Sequence, residues 1–255
     1  MAQRRILKTV MALAAGALAA CAAESGPPPL CMTEVYESNP YVICAARPAL
    51  HDIRLFLDDP AGDPFGDFSP LRDHLSDQGE TLVFAMNGGM YHDDRSPVGL
   101  YIDKAGRRAR LNRNDGPGNF HLLPNGVFAL DGDAALVMET SAFADFYDEE
   151  EDQPDYASQS GPMLVINGRI HPSLNPDGTS RKRRNGVGVS ADGETVYFVI
   201  SDTPVTFHDF ASVFRDRLET PNALFLDGVV SRVYAPDVGR DEKGLDMGPI
   251  VGVVR

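Results

Sequence analysis

Met163-Leu164-Val165-Ile166-Asn167-Gly168-Arg169-Ile170-His171 reads as a complete hairpin: an apolar run, an Asn-Gly turn, and a second run leading back. Asn-Gly accepts the two positive φ angles of a tight I′ turn, which makes it the strongest short hairpin signal. Three more hairpins lie outward from it. Gly186 to Ser190 and Thr195 to Ile200 flank Ala191-Asp192-Gly193-Glu194, and Val127 to Leu130 and Ala134 to Met138 flank Asp131-Gly132-Asp133. Gly99 to Asp103 and Arg107 to Leu111 flank Lys104-Ala105-Gly106. Strands joined this tightly pair antiparallel, because parallel neighbours need a long crossover. That argues against a doubly wound nucleotide-binding fold, and neither GxGxxG nor GxxxxGK[ST] occurs.

Two helices are expected among the hairpins. Ser69-Pro70-Leu71 opens one, with Ser69 as N-cap and Pro70 at the first helical position, and Gly79 closes it. The other begins at Thr206 and carries Phe207, Phe210, Ala211, Phe214 and Leu218 at helical spacing, a stripe suited to packing on a sheet. Pro221 ends it, and Asn222-Ala223-Leu224-Phe225-Leu226 then reads as a buried strand. Hairpins with occasional packed helices define an α+β fold, here a single domain over residues 31–255 built on an antiparallel sheet.

The 255 residues carry 23 Lys+Arg against 37 Asp+Glu, a net charge of −14. Such a balance opposes nucleic acid as a partner, since phosphate backbones need a basic face. It equally opposes adhesion to anionic lipid through a polybasic patch. Arg4, Arg5 and Lys8 precede an apolar run from Val10 to Ala20, too short to span a bilayer but suited to a signal peptide, residues 1–20. Leu18-Ala19-Ala20-Cys21 resembles a bacterial lipobox, which implies that Cys21 becomes the lipidated first residue of the exported chain. Residues 21–30, with Pro27-Pro28-Pro29, then form a stiff tether. Ala22, not Asp, follows the cysteine, so the expected location is the periplasmic face of the outer membrane. Without Met1 to Ala20 the chain has 20 basic against 37 acidic residues, a charge of −17.

Two further cysteines, Cys31 and Cys44, are expected to pair as a disulfide in that oxidising compartment. The acidic run Asp148-Glu149-Glu150-Glu151-Asp152 reads as a solvated loop without the alternation of a calcium loop.

Polar residues cluster just after strand-like runs: Asn87-Gly88-Gly89-Met90-Tyr91, Gly118-Asn119-Phe120, Gln159-Ser160-Gly161-Pro162, Arg184-Asn185-Gly186, and Ser201-Asp202 with Asp227-Gly228. Loops on a rigid scaffold carry function. Together these supply amide donors, a guanidinium and two carboxylates, the ingredients of a sugar and phosphate site. Phe84-Ala85-Met86-Asn87-Gly88-Gly89-Met90-Tyr91, Ser160-Gly161, Arg184 with Gly188, and Asn222-Ala223-Leu224-Phe225-Leu226-Asp227-Gly228 with Ser231 resemble, in order, the phosphodiester glycosidase family. The resemblance implies an α+β domain around a curved antiparallel sheet and hydrolysis of a sugar-1-phosphodiester. By it, Asn87 matches the family's NGG asparagine, Arg184 its arginine before a small-residue turn, and Asp227 its LDG aspartate. Asp202 falls where the family has an aspartate shortly before the second helix. Two departures stand out: Val229-Val230 replace two glycines common in the family, and Asn185-Gly186 replace a common Thr-Ala.

Chemically, breaking the bond between C1 and oxygen expels a phosphate monoester whose second pKa is about 6, so it needs little protonation. A guanidinium can hold its oxygens bidentately, and Arg184 is the expected phosphate ligand. Asp227 and Asp202 are the expected catalytic carboxylates. Asn87, Asn119, Gln159, Ser160 and Ser231 are the expected substrate-binding groups. No cofactor is required by the sequence, and no metal-ligand set is legible; a divalent cation shared by Asp202 and Asp227 stays open. The leading expectation is a hydrolase acting on a carbohydrate phosphodiester in an envelope glycan or glycolipid, attached to the membrane through its lipid anchor. The valine departure motivates the alternative, a non-catalytic glycan-binding envelope lipoprotein.

Overall fold

A computed structural model describes residues 29–147, 152–227 and 230–255. The signal peptide, Cys21 and most of the tether lie outside the described residues, as do 148–151 of the acidic run and Gly228 with Val229. In chain order the strands begin with β1 (Cys31–Tyr36), β2 (Asn39–Ala46), β3 (Asp52–Phe56), β4 (Leu82–Asn87), β5 (Tyr101–Asp103) and β6 (Gly106–Ala109). They continue with β7 (Gly126–Asp131), β8 (Ala134–Glu139), β9 (Tyr156–Ser160), β10 (Met163–Ile166), β11 (Arg169–Ile170) and β12 (Asn185–Val189). The last are β13 (Val196–Ser201), β14 (Asn222–Asp227), β15 (Val233–Ala235), β16 (Arg240–Asp241) and β17 (Ile250–Val254). The helices are α1 (Phe68–Asp77), α2 (Thr140–Phe146) and α3 (Phe207–Ser212), which runs on into one π-helical turn, Val213–Arg217.

All four hairpins form: β5–β6, β7–β8, β10–β11 and β12–β13 pair antiparallel across the turns expected of them. Among the described residues every strand pair is antiparallel, and the strands divide among three sheets. One is seven-stranded, β1-β2-β13-β12-β14-β10-β11, and two are five-stranded, β16-β15-β4-β17-β3 and β6-β5-β9-β7-β8. The three inner faces meet in one core. Phe84 of β4 stacks on Phe198 of β13 at 5.2 Å, and Phe128 of β7 meets Phe198 edge-on at 5.9 Å. Each of these fully buried rings contributes about 1.5–3 kcal/mol.

The helices close the outer faces. α3 lays Phe210 and Phe214 over the seven-stranded sheet, against Tyr41, Val165 and Phe225. Thr206 caps it as expected and forms a capping box with Asp209. Gly186 and Gly188 of β12 lie beneath this helix. A Cβ at Gly188 would come within 2.7 Å of the Phe214 ring, and one at Gly186 within 2.7 Å of the Leu224 carbonyl oxygen. Gly186 is therefore a close-approach position within a strand. α1 packs Phe68, Leu71 and Leu75 on the β4 sheet. Its N-cap is Asp67, whose carboxylate accepts from the Ser69 amide at 3.1 Å; Ser69 already lies inside the helix, which starts two residues earlier than Ser69 as N-cap would put it. Val230 joins the α1 cluster and is 8% exposed, so this substitute for a family glycine points into the core.

Cys31 and Cys44 form the expected disulfide, directly opposite one another in the β1–β2 ladder.

Candidate active site

Three strand ends converge. β4 finishes at Asn87, β12 starts at Asn185 and β14 finishes at Asp227, and all three residues are buried. The Asn185 carboxamide donates to the Asn87 side-chain oxygen at 2.8 Å and to its main-chain carbonyl at 2.9 Å. Its oxygen accepts from the Asp227 amide at 3.0 Å and from the Asn87 side chain at 3.3 Å. Asn87 Oδ1 also accepts from the Arg232 amide at 3.2 Å. Buried amides carry a heavy penalty when unpaired, and here both are paired.

Hydroxyls fix the surrounding main chain. Ser160 donates to the Leu226 carbonyl at 2.8 Å, Ser158 to the Gly88 carbonyl at 2.7 Å, and Ser231 to the Asp227 carbonyl at 3.1 Å. Tyr91 stands nearby with its hydroxyl donating to the Asp246 carbonyl at 3.1 Å. Burial first, and then the Asp227 charge, push its phenol above the usual value.

A charged seam adjoins this cluster. Arg183 grips Glu242 with both terminal nitrogens at 2.7 Å, donates from Nη1 to the Ser231 carbonyl at 3.2 Å and from Nε to the Ser201 carbonyl at 3.0 Å. Asp202 is held by Arg240, with Arg183 3.9 Å away. Arg232, 5% exposed at its side chain, pairs with Asp67 at 2.6 Å and donates to the Leu245 and Glu242 carbonyls at 2.8 Å. Asp202 therefore reaches the Asp227 neighbourhood through Arg183 and Ser231, and its own carboxylate is engaged by guanidinium groups.

Arg184 lies elsewhere than its neighbour. It immediately precedes β12, and its side chain turns toward α3, where it is 1% exposed. Nε donates to the Val205 carbonyl and Nη2 to the Ser180 carbonyl, each at 3.0 Å, while Phe207 covers its face at 3.5 Å. Among the described residues no carboxylate pairs with it. Burial alone lowers its pKa to about 10, which leaves it charged at neutral pH.

Two expected ligands stand apart from the cluster. Gln159 is a staple: its oxygen accepts from the Leu100 amide at 3.0 Å and the Asn112 amide at 2.8 Å. Its nitrogen donates to the Asn112 carbonyl at 2.7 Å and to Thr140 at 3.1 Å. Asn119 is exposed on a 3-10 turn, Asn119–His121, and makes no hydrogen bond to the cluster. Sequence reasoning passed over Asn185, Arg183, Arg232 and Glu242. Asn185 and Arg183 looked like parts of a loop, and Arg232 and Glu242 carry no motif. Among the described residues no group of three or more His, Cys, Asp or Glu side chains is arranged to hold a metal ion.

The site is thus a buried carboxylate set among strand-end amides in an antiparallel α+β fold. The phosphodiester glycosidase sequence model matches residues 80–243, and the chain belongs to that family. Escherichia coli K12 has a relative, the uncharacterized protein YigE, 35% identical over 188 residues; the match covers 74% of this chain and 71% of YigE. The catalytic domain of zebrafish N-acetylglucosamine-1-phosphodiester alpha-N-acetylglucosaminidase, auto-inhibited by its pro-peptide, superposes with a TM-score of 0.56 at 13% identity. That match covers 88% of this chain and 81% of the zebrafish one. A hypothetical protein from Synechocystis gives 0.54 at 12% identity, over 88% of this chain and 61% of its own. At these identities the structural likeness speaks to the fold.

Proposed function

We propose that this protein hydrolyses the glycosidic bond of a sugar-1-phosphodiester carried by an envelope glycan or glycolipid. The observation that carries the reading is the convergence of Asn87, Asn185 and Asp227 from three strands in a chain of the phosphodiester glycosidase family. Asp227 is the carboxylate that stabilises positive charge developing at C1, or attacks it. Ser231 and Ser160 fix the main chain on either side of it. Arg184 lies beneath α3 and does not touch the cluster, so it acts on the departing phosphate only through the field of its uncompensated charge. Of the arginines in and beside the seam it alone has no carboxylate partner among the described residues, and its low-dielectric surroundings screen its charge least. Asp202, held by Arg240, is the second carboxylate of this reading.

Export and anchoring through lipidated Cys21 belong to the same proposal and place the enzyme at the periplasmic face of the outer membrane. Palmitate labelling that is lost in Cys21→Ser tests this part. The activity is tested by incubating purified protein with N-acetylglucosamine-1-phospho-methyl ester and a panel of other sugar phosphodiesters. Release of free sugar that disappears in Asp227→Asn is the expected result. Tight glycan binding without turnover across the panel refutes hydrolysis and marks a binding protein instead.

A further inference from the structure

We infer that Asn185 is a positioning residue for Asp227, setting the direction in which that aspartate leaves the sheet. The inference rests on the reading of Asp227 as the reacting carboxylate. The β12–β14 ladder is irregular at this point: Gly186 pairs with Phe225, yet Asn185 pairs with Asp227, so Leu226 is an extra residue in β14. A bulge of this kind bends the strand, re-aims the residues that follow and breaks the local main-chain ladder. The Asp227 amide, at the bulge, donates to the Asn185 side chain at 3.0 Å. A side chain has taken over a bond that a regular ladder would draw from the main chain.

The same carboxamide ties the bulge to another sheet. Both acceptors facing its nitrogen belong to Asn87: the side-chain oxygen at 2.8 Å and the carbonyl at 2.9 Å. β4, which ends at Asn87, lies in a five-stranded sheet, whereas β12 and β14 lie in the seven-stranded one. Asn185 thus holds the bulged strand of one sheet against the strand end of another, and it is 0% exposed while doing so. The chemistry demanded is narrow: two donated hydrogens toward Asn87 and an accepting oxygen toward Asp227 within one short side chain. Aspartate accepts without donating and sets a negative charge against both Asn87 oxygens. Serine donates one hydrogen and leaves one Asn87 oxygen unmatched. Alanine supplies neither.

The test combines kinetics with hydrogen exchange on Asn185→Ala, Asn185→Ser and Asn185→Asp, with Asp227→Asn as the reference. In Asn185→Ala we expect the Asp227 amide to exchange at least tenfold faster while the cores of β12 and β14 keep their protection. With a sugar phosphodiester, kcat should fall at least tenfold with KM within threefold of the parent. Asn185→Ser should recover part of the kcat. In Asn185→Asp the added charge beside Asp227 should move the acidic limb of the kcat/KM profile to higher pH. Unchanged protection at Asp227, or unchanged kcat in a variant where Asp227→Asn is inactive, overturns the inference. If Asn185→Ala does not fold, Asn185→Ser supplies the same two readings. Should the parent turn over no sugar phosphodiester, the functional reading fails, and the exchange measurement still decides whether Asn185 holds Asp227.

Discussion

The seam between the sheets and the pocket beneath α3 receive consecutive arginines and treat them in opposite ways. In the seam each guanidinium has its carboxylate: Arg183 with Glu242, Arg240 with Asp202, Arg232 with Asp67. Beneath α3, Arg184 has two carbonyls and an aromatic face. A paired charge offsets part of its own desolvation, whereas an unpaired buried one carries the whole cost. The comparison teaches that the basic run Arg181-Lys182-Arg183-Arg184 is not one patch. Of its three arginines, the one without a carboxylate partner among the described residues is the one least visible from solvent.

Replacing Arg184 should break the comparison most visibly. Arg184→Met keeps the volume and removes the uncompensated charge, so its stability should stay within about 1 kcal/mol of the parent or rise. Turnover should fall about tenfold, the scale of a full charge acting through the protein without touching the phosphate. Urea unfolding and kcat read the two effects separately, and a variant that is badly destabilised yet fully active contradicts the contrast. Arg232→Met, in the seam, should do the reverse: a loss of about 1–3 kcal/mol in urea, because Asp67 keeps its charge without its main partner. Burial opposes ionisation of Asp67, but the Arg232 hydrogen bond and the Ser69 amide hold its carboxyl below the usual value. Stability from Asp67 is therefore present above the ordinary carboxylate range and lost as pH falls through the folded value, and Arg232→Met should flatten that acid dependence.

A third buried group shows what happens when a base can shed its proton. His171 is 1% exposed, donates from Nε2 to the Leu123 carbonyl at 3.0 Å and accepts the Ser173 amide on Nδ1 at 3.1 Å. Burial lowers its pKa. Its share of stability is thus complete above about 6.5, the unfolded value, and lost as pH falls through the folded one. Urea titrations at stepped pH should show a decline below 6.5 that is shallower in His171→Asn. Smallest of all should be Arg47→Ala, which breaks an exposed pair with Glu194 at 3.1 Å and should change stability by about 0–1 kcal/mol. A larger change there would mean that solvent-exposed pairs matter more in this fold than the seam comparison allows.

Much of the fold was legible because its turns are chemically explicit. Asn167 and Gly168 adopt positive φ, as do Gly106, Gly132 and Gly193 in the other hairpins. The β1–β2 hairpin escaped notice because Glu37 and Ser38 take the positive φ values there, without glycine or asparagine to announce them. α2 escaped because Glu139 gives it no side-chain cap and its apolar face is short. The site was legible as a set of segments but not as a set of side chains. Asn185-Gly186 looks like a turn, and its true nature depends on Phe210 and Leu224 crowding Gly186 from distant parts of the chain. Likewise Gln159 and Asn185 are equivalent in kind; only tertiary packing makes one a staple for Leu100 and Asn112 and the other a partner of Asp227. The opposite surroundings of Arg183 and Arg184, just before β12, likewise depend on Glu242 and Phe207, distant in the chain.

The disulfide has a mechanical consequence. β1 is an edge strand with one neighbour, β2, and an edge strand pulled from its end can be peeled away one hydrogen bond at a time. Cys31 is its first residue, and its sulfur is bonded to Cys44 of β2, which is itself paired with β13. A load applied through the preceding residues meets that covalent link before it meets the β1 ladder. Tension passes to an interior strand, where it must shear many bonds together, and the Asp237 carboxylate, accepting from the Leu30 amide at 2.7 Å, shares the first part of the strain.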